Sequence, residues 1–150
     1  MTDLERLVAV EEIKKLVARR VRALDARDWE AYEACHAPEH VSGFFAGASD
    51  RDAMMAALKA ETAGVTAIHH VHSPDITLLS PTEATGSWAL EDRRYWKQGD
   101  EDHWLHGWGY YDETYGKRDG RWLITSRQLT RTRMEHSPGS IRAPKPEPAA

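Results

Sequence analysis

The chain has 150 residues, which suits one domain, and its 20 basic and 24 acidic residues leave a net charge of −4. These charges are mixed, apart from an arginine-rich segment near residue 131, so we expect no nucleic-acid partner. Cys35 is the single cysteine and cannot form an internal disulfide, which fits a reducing compartment. The N-terminus lacks the apolar core of a signal peptide, and no run approaches the ~20 apolar residues that span a bilayer. We therefore expect a cytoplasmic protein without membrane contact.

The first predicted element is an amphipathic helix over residues 4–26. Apolar side chains recur there at spacings of three and four, from Leu4 to Leu24. At about 100° per residue, Arg20 falls near the centre of the apolar stripe and Asp25 falls at its margin. Polar residues in these positions are unusual, so both are candidates for functional residues.

Two shorter helices and one strand are predicted next. Asp28 can cap a helix in the segment WEAYEACHA, which Pro38 is expected to end. The apolar segment HVSGFFAG predicts a strand. Ser49 or Asp50 can then cap a third helix over about residues 51–63.

The second half of the chain predicts β-strands. The segments VTAIHHVH and DITLLS flank a Ser-Pro pair, whose proline favours an edge strand or a bulge. Three longer strands follow turn segments, and KRDG before the last of them is a strong hairpin signal. From about residue 137 the composition shifts to proline, glycine, alanine and charge. This predicts a domain over residues 1–136 and a tail over residues 137–150 that has no core of its own.

This order of elements predicts an α+β domain. Helices come first and antiparallel strands follow, so three helices should cover one face of a strongly curved antiparallel sheet. Such an arrangement forms a cone with an interior pocket. Concave, mostly apolar cavities of this kind are common binding sites for small molecules.

Three segments carry a resemblance to a known family: LERLVAVEEIKKLVARRVRALDARDWEAY, HHVHSPDITLLSPTEATGSWALED and GYYDETYGKRDGRWLITSRQLTRTR. Through them, residues 4–134 resemble the SnoaL-like branch of the nuclear transport factor 2-like (NTF2-like) superfamily. That branch includes scytalone dehydratase, bile-acid 7α-dehydratase and hexachlorocyclohexane dehydrochlorinase. The resemblance implies the cone-shaped fold. It leaves the activity open, because the same fold serves enzymes, binding modules and assembly domains.

The resemblance also implies which residues act. The family's catalytic aspartate lies at the end of the first helix, which corresponds to Asp25 here. Its catalytic histidine lies eleven residues before a serine of the next turn, which is Ser80 here, and so corresponds to His69. An arginine on the last strand assists in several relatives. Arg127 is the best match, and Arg131 is the second candidate.

The chain departs from the two dehydratases at two positions. Both carry a tyrosine nineteen residues after the aspartate, where this chain has Phe44. The bile-acid enzyme has another tyrosine five residues before the aspartate, where this chain has Arg20. A hydroxyl leaving group would therefore need a different proton donor, or the leaving group differs. Both side chains remain candidates for contact with the substrate.

The residue types support the same chemistry without the resemblance. A neutral imidazole is a suitable base near pH 7, and a carboxylate that accepts its other N–H fixes the tautomer and stabilises the imidazolium. His69 could thus remove a C–H proton in an elimination or an isomerisation, neither of which needs a metal or an organic cofactor. Arg127 or Arg20 could stabilise charge that develops on an oxygen. The structural alternative is that Asp25 only caps the helix or pairs with Arg22.

Three neighbouring histidines are candidates for the side chain that faces the pocket. Strand alternation places His69 and Val71 on one face, and His70 and His72 on the other. If the second pair faced inward, its spacing would suit a metal ion, but no glutamate follows at a suitable distance. We therefore expect His69 to face inward and expect no metal site.

Aromatic side chains are candidates for the wall of the pocket. Trp88 and Trp108 lie on the central predicted strands, and Tyr32 lies on the second helix. Aromatic residues also pack as cross-strand pairs in any sheet, so a structural role is the alternative. Together these three side chains would favour a flat, apolar ligand.

Basic side chains on the last strand have two interpretations. Arg127, Arg131 and Arg133 share one strand parity, which could form an anion site for a substrate carboxylate or phenolate. The alternative is a structural role in ion pairs. The candidate partners are acidic residues of the adjacent strands, Glu91, Asp92 and Glu113.

These observations lead to a functional hypothesis. We expect a cofactor-independent lyase in which Asp25 orients His69, and His69 removes a proton from a small hydrophobic cyclic or aromatic substrate. An isomerase or cyclase with the same pair is the first alternative, and a non-catalytic binding or assembly module is the second. An outer sheet face rich in Trp and Tyr also predicts a homo-oligomer, with a trimer favoured over a dimer.

Overall fold

The computed structural model describes residues 1–43 and 50–140. Phe44 and residues 141–150, which form most of the predicted tail, lie outside the described residues, so the predictions for them stay predictions. The elements in chain order are α1 (Asp3–Ala26), α2 (Trp29–Glu33), β1 (His36–Ser42), α3 (Arg51–Thr62), β2 (Thr66–Leu78), β3 (Glu83–Gln98), β4 (Glu101–Arg118) and β5 (Arg121–His136).

Helix α1 matches its prediction within one residue at its start, because both of its ends carry clear signals. The Thr2 hydroxyl accepts the N–H of Glu5, and the Glu5 carboxylate accepts the N–H of Thr2. This capping box satisfies donors that the first helical turn leaves unpaired. At the other end Arg27 adopts a left-handed conformation with φ of 56°, which stops the helix two residues after Asp25.

The prediction for the second helix was wrong in extent. Helix α2 ends at Glu33, and Pro38 lies inside strand β1 instead of ending a helix. The carbonyl of Cys35 accepts the N–H of Ile124, which draws the chain onto β5 immediately after the helix. Proline is tolerated there because β1 is an edge strand. Helix α3 matches its prediction closely, with Asp50 as its cap.

The five strands form one sheet in the order β1-β5-β4-β3-β2. Strands β2 to β5 are antiparallel neighbours as predicted, whereas β1 runs parallel to β5, so the sheet is mixed. Strand β2 is an edge strand with a register shift between His72 and Asp75, which confirms the interpretation of the Ser-Pro pair. The α+β fold class is confirmed.

Helix α1 packs across one face of the sheet and forms the main core. Five apolar side chains of the helix contact large residues of β3, β4 and β5, and Ile13 and Val17 are fully buried. Burial of a side chain of this size contributes about 1.5–3 kcal/mol to folding. A second apolar cluster joins the end of α1 to α2 and α3 through Tyr32, Met54 and Leu58. The two clusters hold the end of α1, and with it Asp25, against the sheet.

The opposite face of the sheet, which we call the outer face, exposes several aromatic side chains. Tyr95 of β3 and Trp104 of β4 are cross-strand neighbours and are 43% and 39% exposed. Tyr110 on the same face of β4 is 50% exposed. Within residues 1–43 and 50–140, no helix has the length and apolar character that would carry it across a lipid bilayer.

Candidate active site

Asp25 and His69 are joined by two hydrogen bonds. Oδ1 of Asp25 lies 2.6 Å from Nδ1 of His69, and Oδ2 accepts the backbone N–H of the same residue at 2.9 Å. The second bond ties the end of α1 to strand β2. Since an ionised carboxylate only accepts, Nδ1 carries the proton in the neutral ring, and Nε2 holds the free lone pair.

The position of Asp25 on α1 is electrostatically unfavourable by itself. It is the penultimate residue of the helix, where the helix dipole disfavours a negative charge. The two hydrogen bonds from His69 compensate for this, and the Asp25 side chain is only 27% exposed. The carboxylate therefore has a specific partner instead of a helix-capping role.

Strand alternation orients the three neighbouring histidines as predicted. His69 faces inward and is 7% exposed, whereas His70 and His72 are exposed on the outer side of β2. In the described part of the chain, no group of three or more His, Cys, Asp or Glu side chains is arranged to hold a metal ion.

His69 lines a small enclosed cavity between the sheet and the helices. The cavity volume is about 30 Å³, which is space for one or two water molecules. A substrate must therefore displace side chains of the wall, and Met54 is the most adaptable of them. The lining residues are Leu24, Tyr32, Ser42, Met54, Leu58, Glu61, Thr62, Ala67, His69, Arg94, Tyr111 and Arg127.

Tyr32 and Arg127 meet in the wall of this cavity. Both terminal nitrogens of Arg127 donate to the Tyr32 hydroxyl oxygen, at 3.3 and 3.2 Å. One of them also donates to Nε2 of His36 at 2.8 Å. Nδ1 of His36 lies 2.8 Å from the carbonyl oxygen of Tyr32 and must therefore be its protonated nitrogen. This chain of contacts fixes the Tyr32 oxygen as an acceptor, so its own proton is available to another group.

A single buried carboxylate balances two buried guanidinium groups. Oε1 of Glu113 lies 3.3 Å from Nε of Arg127 and 3.7 Å from a terminal nitrogen of Arg20. Both arginines also lie over the ring of Tyr111, with their guanidinium carbons 5.2 and 5.0 Å from its centre. Burial alone would lower the pKa of Arg127, but Tyr32 and Glu113 raise it above its ordinary value. Arg127 is therefore a permanent cation.

Two buried histidines next to this cluster are held neutral. Burial lowers the pKa of His36 well below its ordinary range, and the charge of Arg127 lowers it further. Burial and Arg127 lower the pKa of His40 to about 4. Their rings contact each other at 4.8 Å between centres. Neither ring adds positive charge to the core at neutral pH.

A second ionic cluster lies beside His69 on the neighbouring strand. Asp92 of β3 is directly opposite His69 in the register and is fully buried. Arg131 of β5 donates to both carboxylate oxygens of Asp92, one of them at 3.1 Å. Nε of Arg94 lies 3.3 Å from Oδ2 of the same carboxylate. Burial alone would raise the pKa of Asp92, but the hydrogen bonds and charge of Arg131, together with Arg94, lower it below its ordinary value.

Several predicted wall residues lie elsewhere in the structure. Trp88 is buried in the core, where its indole N–H donates to the Tyr115 hydroxyl at 2.8 Å. Trp108 lies on the outer face and packs on His106, with ring centres 4.0 Å apart. The prediction that these two tryptophans wall the cavity is therefore wrong for this cavity, because core packing and outer-face pairing take up their rings.

The arginine predictions are corrected in part. Arg20 is 1% exposed beneath Tyr111, and the guanidinium of Arg131 is occupied by Asp92; neither lines the cavity. Arg133 does not share a face with the other two, because a register shift between Trp108 and Gly109 reverses its parity. It pairs with Glu135 on the surface.

Sequence reasoning missed residues that surround the predicted pair. Arg94 lines the cavity but was not a candidate, although its parity with Asp92 on β3 could have suggested it. His36 was also missed, because its position was predicted as helix. His40 was missed although it lies in the segment HVSGFFAG, which was predicted as a strand. Cys35 is a small buried residue, and burial raises the pKa of its thiol.

Comparison with known proteins identifies the family and the fold. Residues 5–128 match the SnoaL-like domain family. A candidate scytalone dehydratase from Novosphingobium aromaticivorans DSM 12444 has the same fold, with a TM-score of 0.79 at 24% identity over 99% of both chains. A hexachlorocyclohexane dehydrochlorinase, LinA type 2, has a TM-score of 0.80 at 16% identity over 95% of this chain and 98% of its own.

A third solved structure comes from a protein of unknown function from Mycobacterium tuberculosis. Its TM-score is 0.73 at 24% identity, over 89% of this chain and 78% of that chain. At these identities the three structures show that the fold is shared. The match over residues 5–128 covers most of the sequence, and the fold has the α+β arrangement of helices and mixed sheet described above. The chain therefore belongs to the SnoaL-like domain family of the nuclear transport factor 2-like superfamily.

Proposed function

We propose that this protein is a cofactor-independent lyase that eliminates a small group from a cyclic or aromatic substrate. One observation carries the proposal: Asp25 and His69 are 2.6 Å apart, and His69 lines an interior cavity. This geometry is that of a carboxylate-oriented general base. The names of two structural relatives, a candidate dehydratase and a dehydrochlorinase, support the reaction class.

In the proposed reaction, Nε2 of His69 removes a proton from a substrate carbon. The electrons of that C–H bond form a carbon–carbon double bond, and the leaving group departs from the adjacent carbon. Asp25 stabilises the imidazolium that forms and keeps the ring in the correct tautomer. Proton removal by a positioned base of this kind accelerates a reaction by about 10²–10⁴-fold.

Tyr32 is the proposed proton donor to the leaving group. Its oxygen accepts two hydrogen bonds from Arg127, and its ring lies in the same cavity wall as His69. If hydroxide leaves, the Tyr32 proton converts it to water, and Arg127 stabilises the phenolate that remains. The proton on His69 then returns to Tyr32 through solvent. In this role Tyr32 would take the place of the two tyrosines of the related dehydratases, at whose positions this chain has Arg20 and Phe44.

The proposed substrate is small and largely apolar. Leu24, Met54, Leu58 and Tyr111 form the apolar part of the wall, which suits a ring. The cavity holds only one or two waters, so binding requires that these side chains rearrange. We expect modest affinity for any single compound and a preference for one ring over large polycycles.

The experiment is a screen of cyclic and aromatic alcohols and halides for elimination, with products identified by mass spectrometry. His69→Gln should abolish the activity found, whereas His70→Gln, its exposed neighbour on the same strand, should retain it. Turnover that survives in His69→Gln would rule out the proposed base.

Product analysis separates the lyase from its first alternative. An isomerase or cyclase would use the same base but return the proton to the substrate, so the product would keep the mass of the substrate. An elimination lowers the mass by that of water or of the hydrogen halide. If no compound turns over but ligands bind in the cavity, the non-catalytic binding module becomes the better interpretation.

A further inference from the structure

The cluster of Asp92, Arg94 and Arg131 carries an unbalanced positive charge beside the proposed base. Asp92 is opposite His69 on the adjacent strand and supplies one negative charge to two guanidinium groups. The carboxylate of Asp25 is engaged by His69, at ring Nδ1 and at the backbone N–H. In a partly buried site such an imbalance is costlier than in water, because the local dielectric constant is lower. An anion bound to these guanidinium groups would neutralise the net charge of the cluster.

The two arginines of this cluster have different surroundings. Arg131 uses its guanidinium fork to bind both oxygens of Asp92, and it does not line the cavity. Arg94 approaches Asp92 through Nε, at 3.3 Å from Oδ2. Its side chain is 27% exposed and forms part of the cavity wall with His69. Because the contact with Asp92 uses Nε, the two terminal nitrogens of the guanidinium can bind a further partner.

We propose that Arg94 is a specificity-determining residue that binds a carboxylate group of the substrate in the cavity next to His69. This inference names the substrate class and rests on the proposed function only for the identity of the base. A guanidinium fork matches the two oxygens of a carboxylate and binds them more strongly than a neutral hydrogen-bond partner. The substrate would then be a cyclic or aromatic carboxylic acid, anchored at Arg94 and deprotonated at carbon by His69.

The surrounding residues support an anchor at this position. Asp92 holds the Arg94 side chain by its Nε, so less conformational freedom is lost when a ligand binds. The apolar wall opposite, with Leu58 and Met54, suits the ring that carries the carboxylate. Glu61 also lines the cavity and is exposed.

The test is a binding measurement with matched pairs of ligands. Benzoate and 2-naphthoate are titrated against the protein by calorimetry, and benzamide and 2-naphthamide serve as neutral counterparts of equal shape. We expect the protein to bind each carboxylate at least about 10-fold more tightly than its amide, as one charged hydrogen-bond pair allows. Arg94→Gln should remove this preference and leave amide binding unchanged.

Arg93→Gln is the matched control for this substitution. Arg93 is the adjacent residue on β3, but its side chain lies on the outer face and contacts Glu91 and His106. The Arg93→Gln variant should therefore retain the preference for carboxylates over amides. Arg94→Gln should also fold, because Asp92 keeps both hydrogen bonds to Arg131, and thermal unfolding checks this. If no carboxylate binds, or if the preference persists in Arg94→Gln, the proposal is wrong.

The His69→Gln variant separates this inference from the proposed function. It should keep the carboxylate preference while losing any elimination activity. Carboxylate binding that depends on Arg94, without turnover of any acid, would support the anchor and contradict the lyase. Elimination of carboxylic acids that is unaffected by Arg94→Gln would support the lyase and contradict the anchor.

Discussion

The carboxylate of Asp25 holds His69 at two points, the ring nitrogen Nδ1 at 2.6 Å and the backbone N–H at 2.9 Å. A contact to the ring alone would still allow the strand to shift relative to the helix. The second contact locks β2 to the end of α1, so that the position of the imidazole depends on both elements. The proposed base is thus built into the packing of the fold.

Asp25→Asn should impair the proposed base without unfolding the protein. An asparagine can retain the contact to the backbone N–H, but it no longer stabilises the imidazolium of His69. We expect the turnover number to fall by about 10²–10⁴-fold. Nitrogen-15 NMR of the His69 ring provides a readout that needs no substrate, because the Nδ1-protonated tautomer should lose its predominance. An unchanged tautomer together with unchanged turnover would contradict the role given to Asp25.

Glu113→Gln should destabilise the protein strongly. The substitution removes the one carboxylate that lies between Arg20 and Arg127, and it leaves two buried cations uncompensated. Loss of one partner from a buried ion pair costs about 3–5 kcal/mol in the free energy of unfolding. Urea denaturation measures this change. Asp112→Asn, an exposed acidic residue one position earlier on the same strand, should have little effect; equal losses in both variants would show that burial of the charge is not the cause.

Stability should fall as the pH falls from about 6.5 towards 4, with a contribution from His40. Its pKa in the folded protein is about 4, below the ordinary value of 6.5, so in this range the unfolded chain binds a proton that the folded protein does not. The stabilisation is therefore complete above pH 6.5 and is lost on acidification, by roughly 3 kcal/mol at its limit. Denaturation curves at several pH values measure the slope. His40→Asn, which can still donate to the Ile124 carbonyl, should show a shallower slope than the parent protein.

Gly107→Ala should disturb the ion pair beside His69. Gly107 lies on β4 between Asp92 and Arg131, and an added Cβ would lie 2.7 Å from Oδ1 of Asp92 and closer still to Arg131. The pair crosses the sheet over this glycine, so the two side chains must move apart. We expect a loss of about 1–3 kcal/mol in the free energy of unfolding. Gly99 lies in a turn with a positive φ of 64°, so Gly99→Ala is a comparison variant that tests backbone strain instead of side-chain crowding. A crystal structure of Gly107→Ala in which Asp92 and Arg131 remain paired would contradict the steric argument.

The exposed aromatic side chains of the outer face predict self-association. Tyr95, Trp104 and Tyr110 lie on adjacent strands of this face, and large exposed apolar patches mark contact sites for other proteins. We expect an oligomer, with a trimer favoured, in sedimentation velocity experiments. Tyr110→Glu should shift the population towards monomer. Leu4 of α1 is 70% exposed but does not lie on the outer face of the sheet, so Leu4→Glu should leave the oligomer unchanged. A monomeric parent protein would contradict the prediction.

Sequence periodicity by itself determined the secondary structure and the inward side of α1. The apolar spacing of three and four predicted that helix and placed Asp25 at its margin, since 3.6 residues per turn fix relative positions around a helix. Alternation along β2 set His69 apart from His70. The family resemblance, carried by local segments, joined Asp25 to His69 across 44 residues, which periodicity could not do.

Only the tertiary structure decided which residues meet beyond that pair. Alternation along a strand predicts which residues lie on the same side of the sheet, but a β-bulge reverses the sides of the residues beyond it. The register shift between Trp108 and Gly109 places Arg133 on the outer face for this reason. Alternation also does not say which side faces the core, so Trp108 was assigned to the wrong one. The ion pairs of Asp92 and Glu113 depend on strand register across β3, β4 and β5. That register is set by packing between residues distant in the chain. It determines which arginines are paired with a carboxylate, and it places Arg94 in the wall of the cavity.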